Sequence, residues 1–289
     1  MATTVPRRSA QLPVCCAEVA TVAKNGALVL LDIKSRQVVR VEREARYWDG
    51  YRNARERIAA YVPSVPFELH LNGRVMSEPL ISGTSFATLS PQQQLEGVRR
   101  ILESYSELVA NDRAGPSAAY LENVLSKAQR ITLQGSLSER LPRAWLNGRA
   151  QSCPLVMSHG DTLPRNFIFG EAGPILIDFD PALLQPRPFW FDPIKIFLAW
   201  ESEEIVKFLL RGQLDSELDE LWKAAGEQST DRVEPLELLA AASLLNGYTV
   251  SGSGRNVEKF ERRTRKAFAV VRSAQRGLEG ASVVDQRTS

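Results

Sequence analysis

The residues best suited to do chemistry lie in one short stretch and in the strand that follows it. Ser158-His159-Gly160-Asp161-Thr162-Leu163-Pro164-Arg165-Asn166 sets His159 two residues before Asp161 and leaves four residues between Asp161 and Asn166. Twelve residues past Asn166, the apolar run Ile175-Leu176-Ile177 delivers Asp178-Phe179-Asp180. A carboxylate, an amide and a second carboxylate in that order suit phosphoryl transfer, which needs positioning and charge neutralisation more than covalent help. Asp161 is placed to accept the proton of an acceptor hydroxyl, or to orient that hydroxyl for in-line attack. Asn166 offers a neutral oxygen to a hard cation and Asp178 a carboxylate, the ligand types that Mg2+ prefers. Asp180 is a further candidate ligand: if the strand stays extended, Asp178 and Asp180 share one face. Singly, an H-x-D or an Asp after an apolar run is commonplace. Their joint order and spacing carry the reading.

Local patterns predict the elements that position these residues. Leu155–Ser158, 166–170 and 174–179 read as short strands around the motif. Ahead of them, 18–24, 27–33 and 37–42 read as a three-stranded antiparallel meander. Asn25-Gly26 makes its first turn, because both positions tolerate positive φ. A helix over 43–61 follows, with Tyr47, Tyr51, Ala54, Ile58 and Tyr61 at helical spacing, ended by Pro63 and Pro66. A second hairpin, 67–71 and 74–81, turns at Asn72-Gly73. Ser90-Pro91 with Gln93 forms a helix start, with an N-cap, a proline at N1 and a capping-box partner. That helix is predicted to reach about Ala110. Others are expected at 117–130, 189–201, 202–211, 215–226, 234–247 and 255–277. The chain thus divides into a tail (1–13), a β-rich part (14–85), a larger, mainly helical part (86–279) and a second tail (280–289), an α+β fold in two lobes.

Composition excludes other classes. The 289 residues are 44% hydrophobic and 24% charged, which is ordinary globular composition. Lys+Arg 36 against Asp+Glu 34 gives a net charge of +2, which argues against a dedicated nucleic-acid binder. Three Cys (Cys15, Cys16 and Cys153) make no disulfide framework, and two His leave no basis for a His- or Cys-rich zinc site. No apolar run is long enough to span a membrane. These features together are those expected of a reduced, cytoplasmic protein.

The motif is the kinase catalytic-loop pattern. Gly160, Pro164 and the run Ile177-Asp178-Phe179-Asp180 resemble the aminoglycoside phosphotransferase/choline kinase-like family, of protein-kinase-like fold, more than the eukaryotic protein kinases. Those usually carry a Lys two residues after the catalytic Asp, where this chain has Leu163. The resemblance covers most of the chain, and its specific motifs lie within 158–192. It implies ATP, or another nucleoside triphosphate, and Mg2+ as cofactors, Asp161 as catalytic base, and Asn166 and Asp178 as metal ligands. His159 becomes a brace for the loop. Asp192, in Phe191-Asp192-Pro193, resembles the family's downstream Asp that supports the loop; a simple helix N-cap is the other reading.

For the nucleotide, the resemblance places the phosphates under the first hairpin, at Asn25 and Gly26. Arg40 stands where a third-strand Lys is usual, with Lys24 and Lys34 as alternatives. Its helix partner is Glu56, with Glu44 as the fallback. Glu78-Pro79-Leu80-Ile81-Ser82-Gly83 resembles the adenine-binding hinge, through Glu78 and Leu80. The resemblance also implies a small-molecule hydroxyl acceptor, aminoglycoside- or amino-alcohol-like. Residues 201–237, with eleven acidic and four basic residues, suit a cationic one. The alternatives are a kinase for Ser or Thr of a peptide, paired with a partner protein through the basic helix 255–277, and a kinase-like module that binds without catalysing.

Overall fold

The structure, a computed structural model, describes residues 17–22, 27–41, 48–113, 154–181, 183–198 and 203–227. The expected turn at Asn25-Gly26, the helices at 117–130, 234–247 and 255–277, both tails, Glu44, all three Cys and the acidic block beyond Glu227 lie outside these residues.

Strands β1 (Val19–Val22), β2 (Leu28–Asp32) and β3 (Gln37–Val41) form the predicted meander, and β4 (Glu68–His70) and β5 (Val75–Pro79) the second hairpin. Hydrogen bonding joins them into one five-stranded antiparallel sheet, ordered β1-β2-β3-β5-β4. The β4–β5 connection is a 3-10 turn at Leu71–Gly73, with Leu71 at φ 48° and Gly73 at φ 85°. Helix α1 (Trp48–Ala59) buries Tyr51, Ala54 and Ile58, three of the residues at the predicted spacing; it ends before the expected 61, leaving Tyr61 past its end and half-buried, and Tyr47 lies outside the described residues.

Two short strands, β6 (Thr84–Ser85) and β8 (Phe167–Gly170), pair across the transition between the two parts. Helix α2 (Pro91–Asn111) begins at the expected capping box: Ser90 Oγ accepts from the Gln93 amide at 3.4 Å, and Gln93 Oε1 accepts from the Ser90 amide at 3.0 Å. Its buried face, from Leu95 through Val109, forms the centre of the core with α5 (Asp215–Ala225). Helix α4 (Glu203–Leu210) also packs against α2. The observed architecture is the expected one, a β-rich first part followed by a mainly helical second part.

The β insertion in the second part departs from expectation in three ways. β7 (Leu155–Ser158) pairs with β10 (Gln185–Pro188), a strand with two prolines that no local pattern signals. The predicted helix at 189–201 is short, α3 (Phe191–Lys195), and continues as a 3-10 turn over Ile196–Leu198. Lastly, β9 (Gly173–Leu176) stops before the acidic pair.

Close approach of α2 to β8 depends on Gly97. A Cβ there would lie 2.3 Å from Phe169 Cε1, and the Phe169 ring is itself held against Phe86 with centroids 5.4 Å apart. Helix propensity favours leucine over glycine, yet Gly97→Leu is expected to lower unfolding stability by about 1–3 kcal/mol, the usual range for overpacking, in a urea titration. Equal or higher stability would show that the helix and strand separate freely.

Candidate active site

Strand β7 is buried along its whole length and projects Ser158-His159-Gly160-Asp161 from the core. Its register is fixed partly from below. Asp112, just past α2, accepts two hydrogen bonds from Arg57 (2.7 and 3.0 Å) and one from the Met157 amide (2.9 Å).

Past Ser158 the loop is shaped by Asp192, on the first turn of α3. Its Oδ2 accepts from the His159 amide at 2.6 Å and its Oδ1 from the Gly160 amide at 3.0 Å. Tyr105 of α2 approaches the same carboxylate at 3.5 Å, and burial, then Asp192, raises its phenol well above the usual value. Asp192 therefore supports the loop, as the resemblance implies, and is not a simple cap. Gly160 has φ +81°, and a Cβ would fall 2.7 Å from the Leu183 carbonyl oxygen, so both backbone and space require glycine.

His159 is fully buried. Its Nδ1 faces the Asp161 amide at 3.3 Å and its Nε2 the Ile177 carbonyl at 3.1 Å. An amide only donates and a carbonyl only accepts, so the proton sits on Nε2 and the ring is neutral. Burial lowers its pKa, in agreement with that state. The ring meets Phe179 edge-on at 4.6 Å. His159 thus ties the Asp161 loop to the Asp178 segment.

The Asp161 carboxylate has partners on both oxygens. Lys195 Nζ lies 3.4 Å from Oδ1, while Asn166 Nδ2 at 3.1 Å and Arg165 Nη2 at 3.4 Å face Oδ2. Burial pushes its pKa up, but Lys195, Arg165, His159 and the Asn166 hydrogen bond together hold it below the ordinary value. At neutral pH it is a carboxylate. Lys195 is fully enclosed, and burial pushes its ammonium down to about 8 against the opposing pull of Asp161 and Asp192.

Asn166 closes the 3-10 turn Pro164–Asn166, and its carbonyl accepts from the Ile177 amide at 2.9 Å. Since Phe167 pairs with Leu176, Asn166 lies opposite Ile177, the residue before Asp178, at the open end of the β8–β9 hairpin. The amide nitrogen of Asn166 faces Asp161, so its oxygen is the atom left for a cation. Among the described residues no group of three or more His, Cys, Asp or Glu side chains is arranged to hold a metal ion. One amide oxygen and one or two carboxylates form a sparse donor set, the supply that suits a hard cation sharing its shell with phosphate and water. The strand is not extended at this point. Asp178 has φ +59° and is exposed, so the expectation that Asp178 and Asp180 share one strand face is corrected.

The nucleotide-side expectations fare unevenly. Arg40 does reach the site: its Nη1 donates to the Phe179 carbonyl at 3.3 Å and its Nη2 lies 3.8 Å from Asp178 Oδ1. Glu56 does not meet it. Glu56 faces outward and pairs with Arg52 at 2.8 Å. The helix instead contributes a cation. Arg55, 1% exposed, bonds Glu78 at 2.5 Å, Tyr51 Oη at 2.9 Å and the Val65 carbonyl at 2.7 Å. Its guanidinium lies between the rings of Phe67 (4.2 Å) and Phe179 (4.3 Å). The Glu78 carboxylate is thereby engaged, and the Leu80 amide donates to the Arg36 carbonyl at 2.7 Å. Asn25 and Gly26 lie outside the described residues.

Sequence reasoning missed Arg55, Lys195 and Arg165. Two of them carry a legible signal. Arg55 sits on the same helical face as Tyr51 and Ile58, and Lys195 is the single cation in the apolar run from Phe189 to Leu198. A charge on an apolar stripe implies a buried partner. Of the acidic block, Glu204, Glu217 and Glu220 are paired with Lys207, Arg99 and Lys223, so these three present no acidic wall.

Two substitutions separate the helix charges. Arg55→Met strands Glu78 in a largely buried site and is expected to destabilise the fold by about 3–5 kcal/mol. Glu56→Gln removes an exposed pair and is expected to cost less than about 1 kcal/mol. Equal effects in chemical denaturation would contradict the inverted arrangement. Asp192→Ala leaves two buried loop amides without acceptors, at about 1–3 kcal/mol each. Protease cleavage within 158–166 is expected to rise in that variant; unchanged cleavage would mean that the loop is held elsewhere.

The phosphotransferase enzyme family matches residues 85–236, a little over half of the chain. No curated protein matches it. Solved structures that resemble it include an aminoglycoside phosphotransferase from Streptomyces rimosus, at 15% identity and TM-score 0.45, covering 79% of this chain and 92% of that one. A glucosamine kinase in complex with glucosamine, ADP and inorganic phosphate resembles it at 13% identity and TM-score 0.47, covering 94% and 83%. An amicoumacin kinase in complex with AMP-PNP and Ca2+ does so at 12% identity and TM-score 0.47, covering 86% and 87%. No helix among the described residues is long and apolar enough to cross a membrane.

Proposed function

We propose that this chain, which belongs to the phosphotransferase enzyme family, moves the γ-phosphoryl group of ATP to a hydroxyl of a small-molecule acceptor, aminoglycoside- or amino-alcohol-like. The observation that carries the reading is the convergence of Asp161, Asn166 and Asp178 on one open hairpin end, with Asp161 braced from behind and held ionised.

Asp161 is the group that meets the acceptor. Its carboxylate accepts the hydroxyl hydrogen and fixes the oxygen for attack. The new O–P bond forms as the bond from the γ-phosphorus to the bridging oxygen of the leaving ADP breaks, and the hydroxyl proton passes to Asp161. A carboxylate held below its ordinary pKa is a weak base, so orientation is its main contribution and proton uptake comes late. Asn166 and Asp178 would hold Mg2+, which neutralises phosphate charge when bound. Arg40, already at Asp178, is positioned to meet phosphate oxygens, and as a planar fork it can do so through two hydrogen bonds.

Transfer from γ-labelled ATP with Mg2+ to a panel of amino sugars, amino alcohols and neutral sugars tests the proposal. Asp161→Asn is expected to lower kcat by about 10²–10⁴, the range for loss of a positioned acid–base group, with the fold intact by circular dichroism. A wild-type chain that transfers phosphate to no acceptor, or an equally active Asp161→Asn, would sink it.

A further inference from the structure

We infer that Lys195 is a positioning residue for the transfer reaction, holding the inner oxygen of the Asp161 carboxylate so that the outer one is presented to the acceptor. The inference rests on the proposed role of Asp161.

Leu163 occupies the place, two residues after the aspartate, where eukaryotic protein kinases usually carry a lysine. The structure supplies a cation to Asp161 from another direction. Lys195 ends α3, three residues after Asp192, and is 1% exposed. An ammonium so enclosed is costly unless its donors are used. Two of its contacts fall on the catalytic loop: Nζ donates to the Gly160 carbonyl and lies 3.4 Å from Asp161 Oδ1. A third face of the ammonium lies over the Phe191 ring, 5.3 Å from its centroid.

The division of labour is visible atom by atom. Gly160 is clamped at both ends of its backbone, its N–H by Asp192 and its carbonyl by Lys195. Oδ1 of Asp161 faces Lys195, whereas Oδ2 faces Asn166 and the half-exposed Arg165. Tethering Oδ1 restricts rotation of the carboxylate and leaves Oδ2 on the side of the predicted cation site. With its ammonium at about 8, Lys195 is still mainly protonated at neutral pH. Its fixed positive charge also balances Asp161 in a site that already buries Asp192 and Arg187.

A double-mutant cycle tests the role on the full chain with Mg-ATP, reading phosphate release to water and to the acceptor panel. Lys195→Met keeps the volume and removes the charge. Its kcat is expected to fall about 10- to 100-fold, the range for a residue that orients a reacting group, with the KM for ATP within about threefold of wild type. Lys195→Arg, which keeps the charge, is expected to recover at least about threefold of that loss. Because Lys195 acts through Asp161, Lys195→Met with Asp161→Asn should be no slower than Asp161→Asn alone. Thermal melting and near-ultraviolet circular dichroism report the fold, and Lys195→Gln replaces Lys195→Met if the latter melts below assay temperature. Wild-type kcat in the uncharged variant, or fully multiplicative losses in the double mutant, overturns the inference while Asp161 stands. Equal turnover by wild type and Asp161→Asn, or no turnover by either, overturns the proposed function itself, and this inference with it.

Discussion

The loop that carries Asp161 depends on one buried carboxylate. Asp192 is 3% exposed and has the amides of His159 and Gly160 directed at its two oxygens. Burying a carboxylate is unfavourable by several kcal/mol unless its lone pairs are met. Two adjacent backbone donors meet them only if the chain turns at Gly160, and that turn requires positive φ. The loop's shape is therefore set by the need to solvate a buried anion. Asp161 follows directly and inherits its direction. Lys195, on the same short helix, closes the other side of the loop through the Gly160 carbonyl. Asp192 and Lys195 thus compensate each other's burial through the backbone between them.

A second buried charge couples this loop to the β-rich part. Arg55 is enclosed by Glu78, Tyr51 and the Val65 carbonyl, and its planar group packs on Phe179. Phe179 is also the ring that His159 meets edge-on. A continuous chain of contacts therefore runs from helix α1 through Arg55 and Phe179 to His159 and the Asp161 loop. The Asp178 segment lies in the middle of this chain. Its position answers to both parts of the fold. Arg40 adds a further tie, because it bonds the Phe179 carbonyl from strand β3.

Much of the fold was legible because it is local. The capping box at Ser90-Pro91-Gln93, the meander and the stripe of Tyr51, Ala54 and Ile58 each follow from residues within a turn or two of each other. Strand β10 was not legible: prolines at 186 and 188 argue against a strand, and only an edge position beside β7 accommodates them. The break after Leu176 was equally hidden. An aspartate in left-handed conformation leaves no trace in a run that otherwise reads as extended. Glu56 stands at a suitable distance along the chain from Arg40, but the helix turns it to solvent and turns its neighbour Arg55 inward.

The amino-acid sequence by itself determined the class of chemistry, because the spacing of Asp161, Asn166 and Asp178 is a local code for a loop and a hairpin. It also determined the α+β order of elements and the need for glycine at a tight turn. Only the tertiary structure decided which charges pair around the loop and the sheet. Arg55 and Glu78, or Lys195 and Asp161, stand 23 and 34 residues apart. Such pairs are selected by which side chains lose water together when helices and strands pack. Desolvation acts on neighbours in space, and sequence spacing does not reveal those neighbours until the chain has folded.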